Sequence, residues 1–426
     1  MTSTPGDDNE VLTIVPEAEH ISAIRLRDEA RVGSHTHRSP RKLPRIYTGL
    51  FLLGFCWTFL QLALGIHSVE FSSGFETVSV AKRIAATGEF ADPFMTPTGP
   101  TAHVAPVYPF VMGIAYRYFN LLGAGLLMTT LNAALLGLEM CLVAVLSLRT
   151  FGSIRPGVFG AVLLGAGTRL VPQHDALFSA VLLLAAGMAL LWNNSARAGI
   201  WAGLSVLTNP VSALAVGVLA LFRGWRFALL AGIVALAICA PWVVRNWAVL
   251  GYPYFVRDNF GLELALSNFD DADAQLIVNP GLWKLHPSRN PTEAKTMATL
   301  GEPVYYRKQL HAAVVWIQTH PRQFLELCAQ RVFYYWLPPL REGWPAGIRC
   351  ILFLLAAIGT WLSLANRQAA ALALTTLVYS LPYAFVQVDL RYSIPTMWAL
   401  ALLAGYALHE LLYKFLPEFK WGTQLR

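Results

Sequence analysis

The sequence predicts an all-α protein that crosses a membrane many times. Three observations carry this. Of its 426 residues, 55% are hydrophobic and only 13% charged, against about 25% charged in a soluble protein. Apolar runs recur from Tyr47 almost to the C-terminus, and helices suit lipid because they satisfy their own backbone groups. Most of the 32 Lys and Arg lie in short loops and tails between those runs, where basic residues set orientation. The net charge of +7 therefore reports topology and does not point to nucleic acid. The five cysteines have no spacing of a disulfide framework or zinc site.

Residues 1–42 are rich in Asp, Glu, Arg, Ser and Pro, the composition of a disordered cytoplasmic tail. The polar first 45 residues hold no signal-peptide core. Arg38, Arg41, Lys42 and Arg45 precede the first span, roughly Ile46–Ile66, and put the N-terminus inside. The polar loop 67–109 is then outside. Within it Ser73-Gly74-Phe75-Glu76 reads as a capping box, opening a short amphipathic helix in the membrane interface. Pro106–Asn120 is apolar but short, a second juxtamembrane helix.

Spans follow at about Leu121–Leu148, Gly157–Val171 and Ala176–Trp192. Arg197 and the pair Arg223/Arg226 should share one side, yet only about 25 residues separate them. One span cannot begin and end on the same side, so the stretch breaks at Thr208-Asn209-Pro210, where Pro ends the helix before it. The result is two half-spans meeting inside the bilayer, an arrangement tolerated where it lines a cavity. Span Phe227–Val244 leads outward, and residues 247–345 form a large polar extracytoplasmic region. Spans Ala346–Leu364, Ala369–Val388 and Ser393–Leu412 close the chain before a cytoplasmic tail, 414–426. About ten spans with both ends inside satisfy the charge rule. The expected units are the tail 1–42, a membrane module 43–246 containing loop 67–109, the region 247–345, the C-terminal helices 346–413 and the tail 414–426.

Several polar residues can carry chemistry, and each has a plainer reading. Glu76 is a general base held at the membrane surface, or only the closing half of its capping box. Glu70 is its local competitor. Asp175, in PQHD, is a solvated loop acid or a partner of Glu76. Arg391, in DLRYSIP, is a surface ion pair with Asp389 or an anion clamp, since guanidinium meets phosphate with paired donors. Arg257, in VRDNFGLE, has the same two readings, and Arg245 is a helix anchor or a third cation. Arginine on the outer face runs against the positive-inside rule and so needs a reason. Asp270, Asp271 and Asp273 lack the Gly and distal Glu of a calcium loop. The histidines His67, His103, His174 and His286 have no metal-ligand spacing on one helix.

Taken together, GFETVSVAKRIAATGEFADPF, TGPTAHVAPVYP, PQHDALF, LTNP, APWVVRNWAVLG, HPSRNPTEA, GEPVYY and DLRYSIP resemble, in order, the bacterial GT-C glycosyltransferases. These are related to the dolichyl-phosphate-mannose protein mannosyltransferases of glycosyltransferase family 39 and to the lipid A aminoarabinose transferases. The resemblance implies a GT-C-like fold with juxtamembrane helices in the first extracytoplasmic loop. It implies an inverting transfer of a sugar from a polyprenyl-phosphate donor, on the extracytoplasmic face of a bacterial inner membrane, to a glycan, lipid or protein acceptor. Glu76 matches the family's loop acid and Asp175 its second acid. Arg257, Arg391, Arg245, Asn259, His103 and Tyr108 are the expected donor-binding set. Many members carry Asp, or an Asp-Glu pair, where this chain has Glu76 alone. The fold class admits a divalent metal, and nothing in the sequence demands one. Two other classes share the architecture: a lipid or solute transporter, and a ligase or polymerase of lipid-linked glycans. Mid-span charges would favour the transporter, and Glu139 is the main one here.

Overall fold

A computed structural model describes residues 42–65, 76–94, 96–169, 171 and 174–415. The expectations for both tails, for Ser73 as a cap and for Glu70 lie outside these residues. The chain opens with α1 (Lys42–Ala63), followed by the short helices α2 (Glu76–Thr87) and α3 (Val107–Tyr118). Next come α4 (Leu121–Phe151), α5 (Arg155–Gly167), α6 (Ala176–Leu191), α7 (Ser195–Thr208), α8 (Ser212–Arg223) and α9 (Trp225–Leu250). The polar region holds α10 (Phe260–Ser267), α11 (Gly281–Lys284), α12 (Pro291–Leu300), α13 (Glu302–Thr319) and α14 (Pro321–Trp336). The chain ends in α15 (Trp344–Leu362), α16 (Arg367–Ser380) and α17 (Ile394–Phe415). Among the described residues β-structure is limited to two isolated bridges, Ala91 with Pro100 and Gln275 with Val388.

Each apolar run of the sequence is a helix, but the lengths differ. Leu43–Ala63, Leu121–Phe151, Trp225–Leu250 and Trp344–Leu362 are long and apolar enough to cross a membrane, by length and composition. Helices α5 to α8 and α16 have only 12 to 16 residues, short of the roughly 20 that a bilayer core needs. Sequence explains two of these limits. Asn209-Pro210 separates α7 from α8, and the Asn209 side chain accepts from the Val211 N–H at 3.1 Å. Pro382 follows α16, which continues only as the 3-10 turn Leu381–Ala384.

Helix α17 is the centre of the bundle, buried along almost all of Ile394–Ala407. Its neighbours approach it backbone to backbone. A Cβ on Gly405 would run into Pro156 and Gly160 of α5, and one on Gly359 of α15 into Leu403. Small residues of this kind are how helices pack closely in lipid.

The connecting loops gather at two ends. At one end Asn366 donates to the Thr150 carbonyl at 2.7 Å, Arg367 to that of Phe222 at 2.7 Å, and Arg223 to Asn193 at 2.9 Å. At the other end Gln61 donates to the Thr168 carbonyl at 3.0 Å and Arg349 to that of Gly167 at 3.0 Å. Arg349 also reaches the Leu390 carbonyl. The polar loops after α2, α5, α9 and α16 meet at this second end.

Candidate functional site

The site is built around the loop between α2 and α3. Asp92 sits in the left-handed region at φ 55°, and its carboxylate accepts from the N–H groups of Thr98 and Gly99 at 3.0 and 2.8 Å. This folds the loop back so that Thr101–His103 runs inward. Groups from residues 245–302 then hold that segment. Arg245, at the end of α9, donates to the carbonyls of Thr101 and Phe90 at 2.7 and 2.8 Å. Its guanidinium also lies 4.9 Å from the Trp242 ring. Arg257 donates through Nε to the His103 carbonyl at 2.8 Å. Glu302, at the start of α13, accepts from the Thr101 hydroxyl and the Ala102 N–H, both at 2.5 Å.

Glu76 begins α2 with its side chain 25% exposed, and its Oε1 lies 3.7 Å from Nε2 of His286. The rings of His103 and His286 both meet Phe94 edge to face, at 5.0 and 5.5 Å. Nδ1 of His103 is 2.6 Å from the Tyr306 hydroxyl. Burial, with Arg257 and His286 nearby, pushes His103 well below its usual pKa, so its ring is neutral.

Asp175 stands at the N-terminus of α6. Burial raises its carboxyl pKa, while the positive charges of Arg257 and Arg391 pull the other way. Nη1 of Arg391 lies 2.9 Å from a ring nitrogen of His174, and its Nε is 3.9 Å from Asp389. Burial, and then Arg391, keeps His174 neutral.

The fold therefore gathers Glu76, His103, Asp175, Arg257 and Arg391. Three other residues of the expected donor-binding set are engaged differently. Arg245 secures the loop, as above. Asn259 donates to Glu263 at 3.0 Å. Tyr108 is buried, its hydroxyl accepting from Asn132 at 3.0 Å beside Asp175. The sequence reading gave no role to Glu302, Asp258 or Tyr306, whose partners lie far away in the chain.

The histidines need a correction. They share no helix, yet His103 and His286 meet Glu76, with one potential ligand atom from each within 4.8 Å of the others. Ligand atoms around a tetrahedral ion stand about 3.3 Å apart. Nδ1 of His286 accepts the Ser288 N–H at 3.1 Å, which leaves the ring proton on Nε2, the nitrogen that faces Glu76. In that tautomer Nε2 offers no lone pair to an ion.

Solved structures share the fold. The apo oligosaccharyltransferase of Archaeoglobus fulgidus superposes with a TM-score of 0.54 at 15% identity, over 89% of this chain and 52% of that one. The archaeal oligosaccharyltransferase AglB from Archaeoglobus fulgidus, in complex with an inhibitory peptide and a dolichol-phosphate, gives 0.51 at 15% identity, over 88% and 51%. ArnT from Cupriavidus metallidurans bound to undecaprenyl phosphate gives 0.39 at 14% identity, over 87% and 79%, a superposition too loose to bear on the fold. The chain spans about half the length of the archaeal chains it matches. No protein-family model and no curated protein matches the sequence. The likeness establishes a GT-C membrane fold.

Proposed function

We propose that this protein is an inverting glycosyltransferase that moves a sugar from a polyprenyl-phosphate donor to an acceptor at the extracytoplasmic face of a membrane. One observation carries the reading. A partly open carboxylate, Glu76, shares a loop-lined end of an apolar bundle with the guanidinium groups of Arg257 and Arg391. The dolichol-phosphate held by the archaeal AglB structure supports a lipid-phosphate donor. Such a donor keeps its tail in the bilayer and brings its sugar phosphate to the loops.

In the reaction the acceptor oxygen attacks the anomeric carbon and passes its proton to the Glu76 carboxylate. The bond between the anomeric carbon and the phosphate oxygen breaks, and the electron pair leaves with the polyprenyl phosphate. Arg257 and Arg391 stabilise the charge that develops there. Arg257 spends Nε on the His103 carbonyl, and its two terminal nitrogens have no hydrogen-bond partner among the described residues. They form a fork of the shape that phosphate accepts. Asp175 adds a negative charge near both guanidinium groups.

Glu76→Gln tests the assignment. Purified protein in liposomes containing polyprenyl-phosphate sugars should lose about 10²- to 10⁴-fold in turnover, with an unchanged thermal midpoint. Normal turnover in that variant would remove Glu76 from the reaction.

A further inference from the structure

Building on Glu76 as the base, we infer that His286 is its positioning residue: an imidazole held with Nε2 toward the Glu76 carboxylate, and not a metal ligand. The hydrogen bonds fix this. Nδ1 of His286 receives the Ser288 backbone N–H at 3.1 Å and lies 2.7 Å from the Ser288 hydroxyl. A backbone N–H can only donate, so Nδ1 holds the lone pair and Nε2 the proton. The ring has little freedom, with a side chain only 6% exposed and Phe94 packed edge to face against it at 5.5 Å. The turn that carries it is tied down as well, because the N–H groups of Arg289 and Asn290 both donate to the His286 carbonyl, at 3.0 and 2.9 Å.

Nε2 thus lies 3.7 Å from Oε1 of Glu76, just beyond hydrogen-bond distance. Catalytic hydrogen bonds of this kind are often long before substrate binds and tighten afterwards. Once that contact closes to a hydrogen bond, Oε1 is held by His286 and Oε2 is left for the acceptor hydroxyl. Binding an ion through Nε2 would require moving the ring proton to Nδ1, against the Ser288 N–H.

The test has two arms. The first does not depend on activity. Histidine-labelled protein in detergent is studied by ¹H–¹⁵N NMR, with His286 identified by the signal lost in His286→Gln. The expected result is a protonated Nε2 and a bare Nδ1, unchanged by added Zn²⁺. A bare Nε2, or a shift of the His286 signals with Zn²⁺, overturns the proposal in favour of a metal ligand. The second arm measures turnover of undecaprenyl-phosphate mannose. His286→Phe should lower kcat about 10²-fold and leave KM within about two-fold, while His286→Gln, which keeps an N–H donor, recovers most of kcat. Equal loss in both variants with matched thermal midpoints, or no loss in His286→Phe, also overturns it. If wild-type protein does not turn over undecaprenyl-phosphate mannose, mannose is excluded as the sugar, and the NMR arm still decides the role of His286.

Discussion

Asp258 and Glu302 are two carboxyls pressed together beneath the Thr101–His103 segment. The Asp258 carboxylate is buried against Glu302, which donates to it when protonated. Burial pushes Asp258 from 3.8 up to about 6, against the pull of Glu302, Arg257 and Arg245. Burial, and then the Asp258 charge, pushes Glu302 well above its usual range. An acid whose folded-state pKa is raised contributes stability that is full below the unfolded value and is lost as pH rises through the folded one. For Asp258 that window runs from 3.8 to about 6, and Glu302 extends it upward. The thermal midpoint of the detergent-solubilised protein should therefore fall as pH rises from about 4 through about 6, and fall further as Glu302 ionises above that. In Asp258→Asn the fall should shrink, because both an ionisation and its repulsion of Glu302 disappear. Parallel curves for the two proteins would show that the pair does not set the pH dependence.

At the scale of the helices, packing rests on absent side chains. Gly405 of α17 leaves room for the backbone of Pro156 and Gly160, and Gly359 leaves room for Leu403. Backbone cannot yield as a flexible side chain does, so overpacking here costs about 1–3 kcal/mol. Gly405→Ala should lower the thermal midpoint clearly. Gly217→Ala, in α8 with nothing within 4 Å of the added methyl, should leave it unchanged or raise it through better helix propensity. Equal effects would mean that the α5–α17 contact is not tight. The helices themselves were legible in the sequence, because apolar runs and prolines are local signals. The break at Asn209-Pro210 followed from where the arginines stand. What α7 and α8 gain from it was not legible: Asn209 donates to the Tyr379 hydroxyl at 2.9 Å, and Tyr379 leads through Tyr383 to the ring of Tyr392 beside Arg391.

Across the whole molecule the same contrast holds for the site. Glu76, Asp175, Arg257 and Arg391 stood out in the sequence because charge in loops of an apolar chain is conspicuous. Glu302 and His286 did not, because their meaning lies in contacts such as Thr101 with Glu302, 201 positions apart, which no periodicity announces. What the two ends of the bundle face is a matter of charge. Arg197, Arg223 and Arg367 mark one end through the turns that Asn193, Phe222 and Asn366 join. Glu76 and its partners mark the other. The positive-inside rule predicts that the first end is cytoplasmic. In a protein whose five cysteines are replaced, Lys295→Cys should react with a membrane-impermeant maleimide in intact cells, and Arg197→Cys only after permeabilisation. Both lysine and arginine are exposed in the folded chain, so accessibility reports sidedness and not burial. The reverse pattern would put Glu76 among cytoplasmic nucleotide sugars, and a donor carried on a lipid phosphate would lose its rationale.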